Sequence, residues 1–322
     1  MTPPRTAFCI PIYDDWESAS ALLARIDAVA AETGLAADVF LIDDGSSMTP
    51  GDEIAGPFSA LGRVEVLHLR RNLGHQRAIA VGLAYLHDRE QPARVVVMDG
   101  DGQDAPEDVP QLLDMLDHLP SGVVFAARAR RSESLTFRFF YQAYKALHLV
   151  LTGMKVEVGN FSAVSATALD RLVAVSELWN HYAAAVYKAR IPSTNVPIAR
   201  ARRLAGETHM KFVNLAAHGL SAMSVHGEVI GVRLLVASGA LIALSVTALI
   251  VLGLLAALPS VALPAWSTVV AGMLVLLTGI AVLLALIFVF VILQGRAGAT
   301  FLPIRDYSYY VARTARVFER DA

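Results

Sequence analysis

One cysteine, Cys9, is all the thiol chemistry this chain has, so neither an internal disulfide nor a zinc site built on paired thiolates can form. Its neighbours from Ala7 to Ile12 read as a strand, which makes Cys9 a buried small hydrophobe. Charge is scarce as well. Only 17% of the 322 residues are charged, and 27 basic against 29 acidic residues leave a net charge of -2. A chain so evenly balanced has no global field to recruit a polyanion, so nucleic acid drops out as a partner. The scarcity is complete from Leu234 to Gly295, where there is no Asp, Glu, Lys or Arg. What fills the space is apolar: 55% of the residues are hydrophobic, and the mean hydropathy is +0.50. That is too high for an ordinary soluble domain and high enough to exclude disorder.

The charge-free run is broken only by Leu258-Pro259-Ser260 and Leu263-Pro264-Ala265-Trp266. Segments 234–258 and 268–293 each exceed the roughly 20 residues that a helix needs to cross a bilayer, so the run reads as a membrane hairpin. Small residues recur in both halves (Ala237, Ser238, Gly239; Ala271, Gly272, Gly279), as expected of closely approaching helices. Basic residues flank it, with Arg200, Arg202, Arg203, Lys211 and Arg233 before, and Arg296, Arg305, Arg313, Arg316 and Arg320 after. By the positive-inside rule both termini are expected on the cytoplasmic side of the inner membrane. Residues 1–12 show no charged n-region followed by an apolar h-region, so the large domain is expected to stay there too. Segments Leu135 to Leu151 and His209 to Val229 are aromatic and amphipathic, and read as helices lying along the membrane. The expected division is an α/β domain over 1–205, an interfacial segment over 206–232, the hairpin over 233–295 and a basic cytoplasmic tail over 296–322.

Ahead of the hairpin, strand and helix signals alternate. Ala7 to Ile12, Asp38 to Ile42, Val64 to Leu69, Arg94 to Met98 and Val123 to Ala127 are short apolar runs with strand composition. Ser18 to Ala31, Asn72 to His87 and Ala105 to His118 are helical in period, with Ile79, Leu83 and Leu86 on one face. Such alternation predicts βαβ units and a Rossmann-like, mostly parallel sheet. Ligands of these sheets bind beyond the carboxyl ends of the strands, so the loops there should carry the chemistry.

Four strands end in polar clusters: Pro11 to Asp15, Asp43-Asp44-Gly45-Ser46, Arg70 to Gly74, and Asp99-Gly100-Asp101-Gly102-Gln103-Asp104. The last holds carboxylates that would repel one another and any phosphate unless a divalent cation lay among them. Hard oxygen ligands suit Mg²⁺ or Mn²⁺, and Mg²⁺ takes one or two carboxylates plus substrate phosphates. Gly100 to Ala105 also fits the G-x-G-x-x-A dinucleotide fingerprint, but a Rossmann pyrophosphate rests on N–H groups, which the acids oppose. An EF-hand would need Gly and Glu where Asp104 and Pro110 stand. Helix capping ahead of Pro106 accounts for Asp104 but not for Asp99 and Asp101.

Together, Pro11 to Asp15, Asp43 to Ser46, Arg71-Asn72-x-Gly74 with Ala78 and Gly82, and Asp99-x-Asp101-x-Gln103 before Pro106-Glu107 resemble the family 2 glycosyltransferases of GT-A fold. The nearest branch is the polyprenyl-phosphate one, and the resemblance covers residues 6–230 and the hairpin. It implies an inverting transferase moving a sugar from a UDP- or GDP-sugar to undecaprenyl phosphate, with Mg²⁺ or Mn²⁺ as cofactor. Pro11, Tyr13 and Asp15 would line the nucleotide, Asp43 or Asp44 would bind its base or ribose, and Asn72 would also lie at the donor. Asp99 and Asp101 would take the diphosphate and metal, with Gln103 completing the metal shell. Arg128 and Arg203 would neutralise phosphate, and Asp101, Asn160 and Arg203 would form the catalytic set. The resemblance leaves room for a homo-oligomer.

Departures from the family pattern bear on the acceptor. Asp14-Asp15 replaces Asn-Glu, His209 stands for a Lys, and Gly159-Asn160-Phe161-Ser162-Ala163 stands for Gly-Asp-Phe-Arg-Leu. A terminal Glu-Tyr-x-Gly-Arg is missing. Trp16, Trp179 and Trp266 all lack the Gln-x-x-Arg-Trp context of a processive synthase. A transferase acting on a lipid hydroxyl, with Glu157 or Glu177 as base, is the rival enzyme. A membrane scaffold that only binds nucleotide-sugar is the rival from another class.

Overall fold

The computed structural model describes residues 4–128, 135–153, 158–198, 221–260, 263–297 and 301–320. The chain forms two compact units: Met1–Arg138 with Val156–Val225 and Thr300–Ala322, and Phe139–Lys155 with His226–Ala299.

The first unit is built on an eight-stranded sheet. Its strands are β1 (Thr6–Ile12), β2 (Ala37–Asp43), β3 (Arg63–Leu69), β4 (Arg94–Val97), β5 (Val123–Arg128), β6 (Val158–Ser165), β7 (Ser193–Ile198) and β8 (Val311–Glu319). They lie in the order β7-β5-β6-β4-β1-β2-β3-β8. β1 to β4 pair in parallel, as do β5 and β7, whereas β6 and β8 pair antiparallel to their neighbours. Between them come helices α1 (Trp16–Thr33), α2 (His75–Tyr85), α3 (Val109–Asp117), α5 (Ala166–Val173) and α6 (Tyr182–Lys188). Helix α4 (Leu135–Thr152) runs from this unit into the second.

Alternation along the strands produces two cores. On β1, Phe8 and Ile10 belong to one core with Leu22 and Ile26 of α1 and Leu112 and Leu116 of α3; Ala7 and Cys9 belong to the other with Ile79 and Leu83 of α2, Leu172 of α5 and Val186 of α6. Cys9 is fully buried, and burial pushes its thiol up to about 12, so it is an inert hydrophobe as expected. The chain runs outward from β1 through β2 and β3, then returns to lay β4 on the other side of β1. This reversal opens a crevice at the carboxyl ends of β1 and β4, where an open α/β sheet holds its ligands.

Two expectations are corrected by the fold. The segment after residue 296, read as a basic tail, returns to the sheet: β8 pairs with β3 from Arg63↔Glu319 to Leu69↔Val311. Short α9 (Pro303–Asp306) and the turn Tyr307–Tyr309 precede it, and Tyr307 is buried against α2 with its hydroxyl donating to Asp88 at 2.5 Å. Trp179 packs on Phe301 and Tyr310 at centroid distances of 3.9 and 4.9 Å. The interfacial segment over 206–232 is corrected at its end, because residues from Gly227 onward already belong to a long apolar helix; much of its earlier part lies outside the described residues.

The second unit contains α7 (Gly227–Ala256) and α8 (Trp266–Ala297). The apolar parts, Gly227–Ala257 and Trp266–Leu293, have hydropathies of 2.6 and 3.2 and are long enough to cross a membrane. They pack antiparallel through small residues: Gly231, Ser238 and Ser245 are buried, and Gly231 lies against Ile292. Inside the pair, Ser245 and Thr278 share a hydrogen bond of 2.8 Å, the polar contact expected of helices in hydrocarbon.

Candidate active site

The loops at the carboxyl ends of β1 to β4 are tied to one another by carboxylates that accept backbone N–H groups. After β1, Pro11 is buried in register with Ile42, and Tyr13 is 52% exposed at the rim. Asp14 adopts φ +50, and its carboxylate accepts from the Ser47 and Met48 amides at 2.8 and 3.0 Å and from the Ser47 hydroxyl at 2.9 Å. The Met48 amide leads the contacts that hold it below the usual carboxylate range. Asp15 occupies the N-cap position of α1.

After β2, Asp43 accepts the Ser46 amide at 2.9 Å and meets His68 Nδ1 at 2.7 Å. Asp44 reaches into the next loop, where it accepts the Leu73 and Gly74 amides at 2.7 and 2.8 Å. Burial pushes its carboxyl up despite those bonds. Both Asp43 and Asp44 are buried, so their described contacts build the walls of the crevice. Gly45 permits the close approach: its φ is +74, and a Cβ there would stand 2.7 Å from the Arg71 carbonyl carbon and the Asn72 nitrogen. Asn72 itself is exposed.

After β4, Gly100 lets the acidic loop close on β1, since a Cβ there would meet Ile12 at 2.8 Å. Asp101 accepts the Gln103 amide at 3.0 Å, which folds the loop into a tight turn. Asp104 is corrected from its expected capping role: buried and turned back along the loop, it accepts the Asp99 amide at 2.9 Å, and the N-cap position belongs to Ala105. Among the described residues no group of three or more His, Cys, Asp or Glu side chains is gathered into a metal cage. Asp99 and Asp101 nonetheless suit Mg²⁺ or Mn²⁺, because such a site is completed by substrate phosphate oxygens. Gln103 adds a neutral oxygen on the same loop.

Sequence reasoning missed His75 and Gln76, the first residues of α2. His75 Nε2 lies 3.1 Å from Asp99 Oδ1 and 3.0 Å from Asn160 Nδ2. Desolvation opposes protonation of His75, but Asp99, Asp104 and Asp44 outweigh it and raise its pKa. Gln76, buried behind it, donates to Asn160 Oδ1 at 3.0 Å. The signal available in the sequence was position alone: two polar residues open the helix that follows the third strand-end loop. Asn160 is therefore bonded to an imidazole that lies beside the acidic loop and that no local pattern marks. Arg128 ends β5, while its side chain, Arg203 and Glu157 lie outside the described residues.

A mostly parallel sheet with its crevice at the β1/β4 reversal, closed by an acidic loop, is the GT-A glycosyltransferase architecture. Glucosyl-3-phosphoglycerate synthase of Mycobacterium tuberculosis, solved with Mn²⁺, uridine diphosphate and phosphoglyceric acid, shares the fold at a TM-score of 0.51. The identity is 13% over 71% of this chain and 79% of that one. Residues 7–173 match the family model of glycosyl transferase family 2, and the chain belongs to that family. It is 27% identical over 226 residues to the glycosyltransferase YkcC of Bacillus subtilis (strain 168), covering 67% of each chain. It is 32% identical over 136 residues to an undecaprenyl-phosphate 4-deoxy-4-formamido-L-arabinose transferase of Klebsiella pneumoniae. That match covers 41% of this chain and 40% of the transferase, so this chain spans about two fifths of that relative's length.

Proposed function

We propose that this glycosyltransferase moves a sugar, with inversion, from a UDP- or GDP-sugar to a polyprenyl phosphate at the cytoplasmic face of the inner membrane. The observation that carries the reading is the pairing of an acidic strand-end loop, Asp99 to Asp104, with two apolar helices in one chain. The first suits a diphosphate donor and the second a lipid acceptor. The similarity to a transferase named for undecaprenyl phosphate supports the acceptor class. The basic residues that flank the apolar pair favour the cytoplasm as the side of both termini.

In this reading Pro11, Tyr13, Asp15 and Asn72 line the nucleotide in a frame set by Asp43 and Asp44. Asp99, Asp101 and Gln103 hold the divalent cation, which supplies charge neutralisation to the departing nucleoside diphosphate. Arg128 and Arg203 add positive charge at the same phosphates. The lipid phosphate is already an anion near neutral pH, so its oxygen attacks the anomeric carbon from the opposite face without a base. Asn160 orients the site and takes no proton. A lipid hydroxyl acceptor would need a general base. Glu177 is poorly suited to act as one. Although burial opposes its ionised form, the Lys188 ammonium at 2.6 Å leads the contacts holding it below the usual carboxylate range.

The test is a panel of UDP- and GDP-sugars, assayed for nucleoside diphosphate release with and without polyprenyl phosphate. Release that depends on the polyprenyl phosphate, with a product cleaved by mild acid, is expected. An acid-stable glycolipid would move the acceptor to a hydroxyl, and donor binding with no turnover would leave a scaffold.

A further inference from the structure

A helix at a protein surface in water turns its polar side chains outward, and the last two turns of α4 do the opposite. Leu147, Leu149 and Val150 are 51%, 43% and 69% exposed, and Ala146 is exposed beside them. The polar residues of the same turns, His148 and Thr152, are buried and meet each other. Thr152 Oγ1 donates to the His148 carbonyl at 2.7 Å and lies 3.1 Å from its Nδ1. A helix lying flat on a membrane does not fit this arrangement, because it keeps a polar face in water. An apolar outside over a polar inside is the pattern of a helix surrounded by hydrocarbon.

The end of the helix suits the same surroundings. In lipid no water reaches the last carbonyls of a helix, so they must find donors within the protein. The Gly153 N–H donates to the Leu149 carbonyl at 2.8 Å, with Gly153 in the left-handed region at φ +79, a glycine-ended cap. The next carbonyl, that of Val150, accepts from another helix: Arg233 Nη1 of α7 lies 2.6 Å away. A cation is also the favoured charge at the carboxyl end of a helix. Gly153 makes room for it, because a Cβ there would stand 2.8 Å from Arg233 Nη2. Arg233 is the last charged residue before the charge-free run that begins at Leu234. α4 from Phe139 onward, Arg233 and both apolar helices belong to one compact unit. We infer that the last two turns of α4 enter the bilayer with Leu147, Leu149 and Val150 against acyl chains, and that Arg233 is the positioning residue that holds them there. The partner of this surface is hydrocarbon: its exposed side chains carry neither charge nor hydrogen-bonding group, and the helix that caps it continues into an apolar span.

This placement rests on the membrane reading of the two apolar helices, and one experiment separates the two. The full-length protein, in nanodiscs of phosphatidylglycerol and phosphatidylcholine, carries a single nitroxide attached at Val150→Cys or, in a second preparation, at Leu147→Cys. Cys9 is the only native cysteine, and it is fully buried with its thiol pushed up, so it takes no label. Oxygen partitions into hydrocarbon and a nickel chelate into water, so the ratio of their collision rates with the label reads depth. Leu276→Cys in α8 and Glu32→Cys in α1, both at exposed positions, set the two ends of the scale. Labels at Val150 and Leu147 are expected near the Leu276 ratio. Arg233→Ala removes the donor to Val150, and Gly153→Ala crowds the guanidinium; each should shift the Val150 ratio toward that of Glu32. Arg233→Lys, which keeps a cationic donor, should shift it less. An intermediate ratio at Val150 and Leu147 would lay the helix at headgroup level, and slow collisions with both reagents would mean that protein, a second copy of the chain included, covers these residues. Either overturns the inference, as does a Val150 ratio that ignores both Arg233→Ala and Gly153→Ala. A water-like ratio at Leu276 would overturn the membrane reading itself. Absent sugar transfer with all these ratios as expected would count against the transferase reading alone.

Discussion

The two edges of the sheet are both rich in carboxylates, and they treat them differently. At the amino ends of the strands, Asp38 and Glu90 are ion-paired with Arg5 at 2.9 and 2.6 Å, and Arg63 bridges Asp38, Glu65 and Glu90. Glu65 also accepts the Tyr85 hydroxyl at 2.5 Å. At the carboxyl ends, the partners of Asp14, Asp43 and Asp44 among the described residues are amides, a hydroxyl and an imidazole. Arginine cancels a carboxylate's charge, whereas an amide N–H fixes its position and leaves the charge in place. The first edge is complete within the chain. In the reading proposed above the second receives a divalent cation, which makes it the working edge.

The most direct way to break this comparison is at Asp101. Asp101→Ala should reduce sugar transfer by about 10³-fold, the scale of losing one group that stabilises transition-state charge. Excess chelator should do the same to wild type. Undiminished turnover in chelator would remove the cation, and with it the contrast between the edges.

Its counterpart on the other edge is Glu90→Gln, which keeps the shape and removes the charge facing Arg5 and Arg63. Burial opposes ionisation of Glu90, but those two arginines hold it below the usual carboxylate range. Breaking the pair should cost about 1.5 kcal/mol of stability, the scale of charge-assisted hydrogen bonds, because Arg5 keeps Asp38 and Arg63 keeps Asp38 and Glu65 as partners. Turnover per folded molecule should stay at the wild-type value. A thermal melt paired with kinetics on the folded fraction separates the two effects, and a drop in kcat with an unchanged Tm would show that this edge is not merely structural.

Tyr307 sharpens the comparison from outside the edges, since it ties the returning chain to α2, the helix that carries His75. Tyr307→Phe deletes the hydroxyl bound to Asp88 and should cost about 1 kcal/mol. The readout is a melt of the detergent-solubilised protein, and an unchanged Tm would mean that β8 alone holds the returning segment.

How far the sequence could be read follows from where each element's information lies. β1 to β5 and α1 to α3 announce themselves through local period, because each buries one face against a neighbour close in the chain. β8 has no such local mark. Most of its residues are half-buried or exposed at the sheet edge, and its partner β3 lies some 240 residues earlier, with the apolar helices between them. Its arginines therefore read as a membrane-flanking tail, and only the pairing of Val66 with Ala315 and its neighbours reveals a strand. In the site, Asp99 and Asp101 were legible because several acids on one short loop demand an explanation. His75 and Gln76 were not, because a polar pair opening a helix is ordinary until the fold sets Asn160 and Tyr182 behind it.

The smallest expected effect concerns Asp27, a carboxylate on α1 that crosses the categories. It lies away from the acidic loop, yet it is held as the working-edge acids are, accepting the Ser59, Ala60 and Leu61 amides at 2.7 to 2.9 Å and the Ser59 hydroxyl at 2.9 Å. Partial desolvation works against its ionised form, but these donors prevail and lower its pKa. A carboxyl depressed in the folded state contributes stability that is fully present above its unfolded pKa of about 3.9 and is lost as pH falls through the folded value. The contribution should be roughly 1 kcal/mol, since the group is only partly buried. Asp27→Asn should therefore lower Tm slightly near neutral pH and flatten the acid limb below about pH 4, with the two proteins converging at the acid end. Transfer activity should not change, because no residue of the proposed donor site lies in the loop that Asp27 holds. If Asp27→Asn instead impaired transfer at neutral pH with Tm intact, amide-held carboxylates would signal function wherever they occur, and the distinction between the edges would have to rest on the arginines alone.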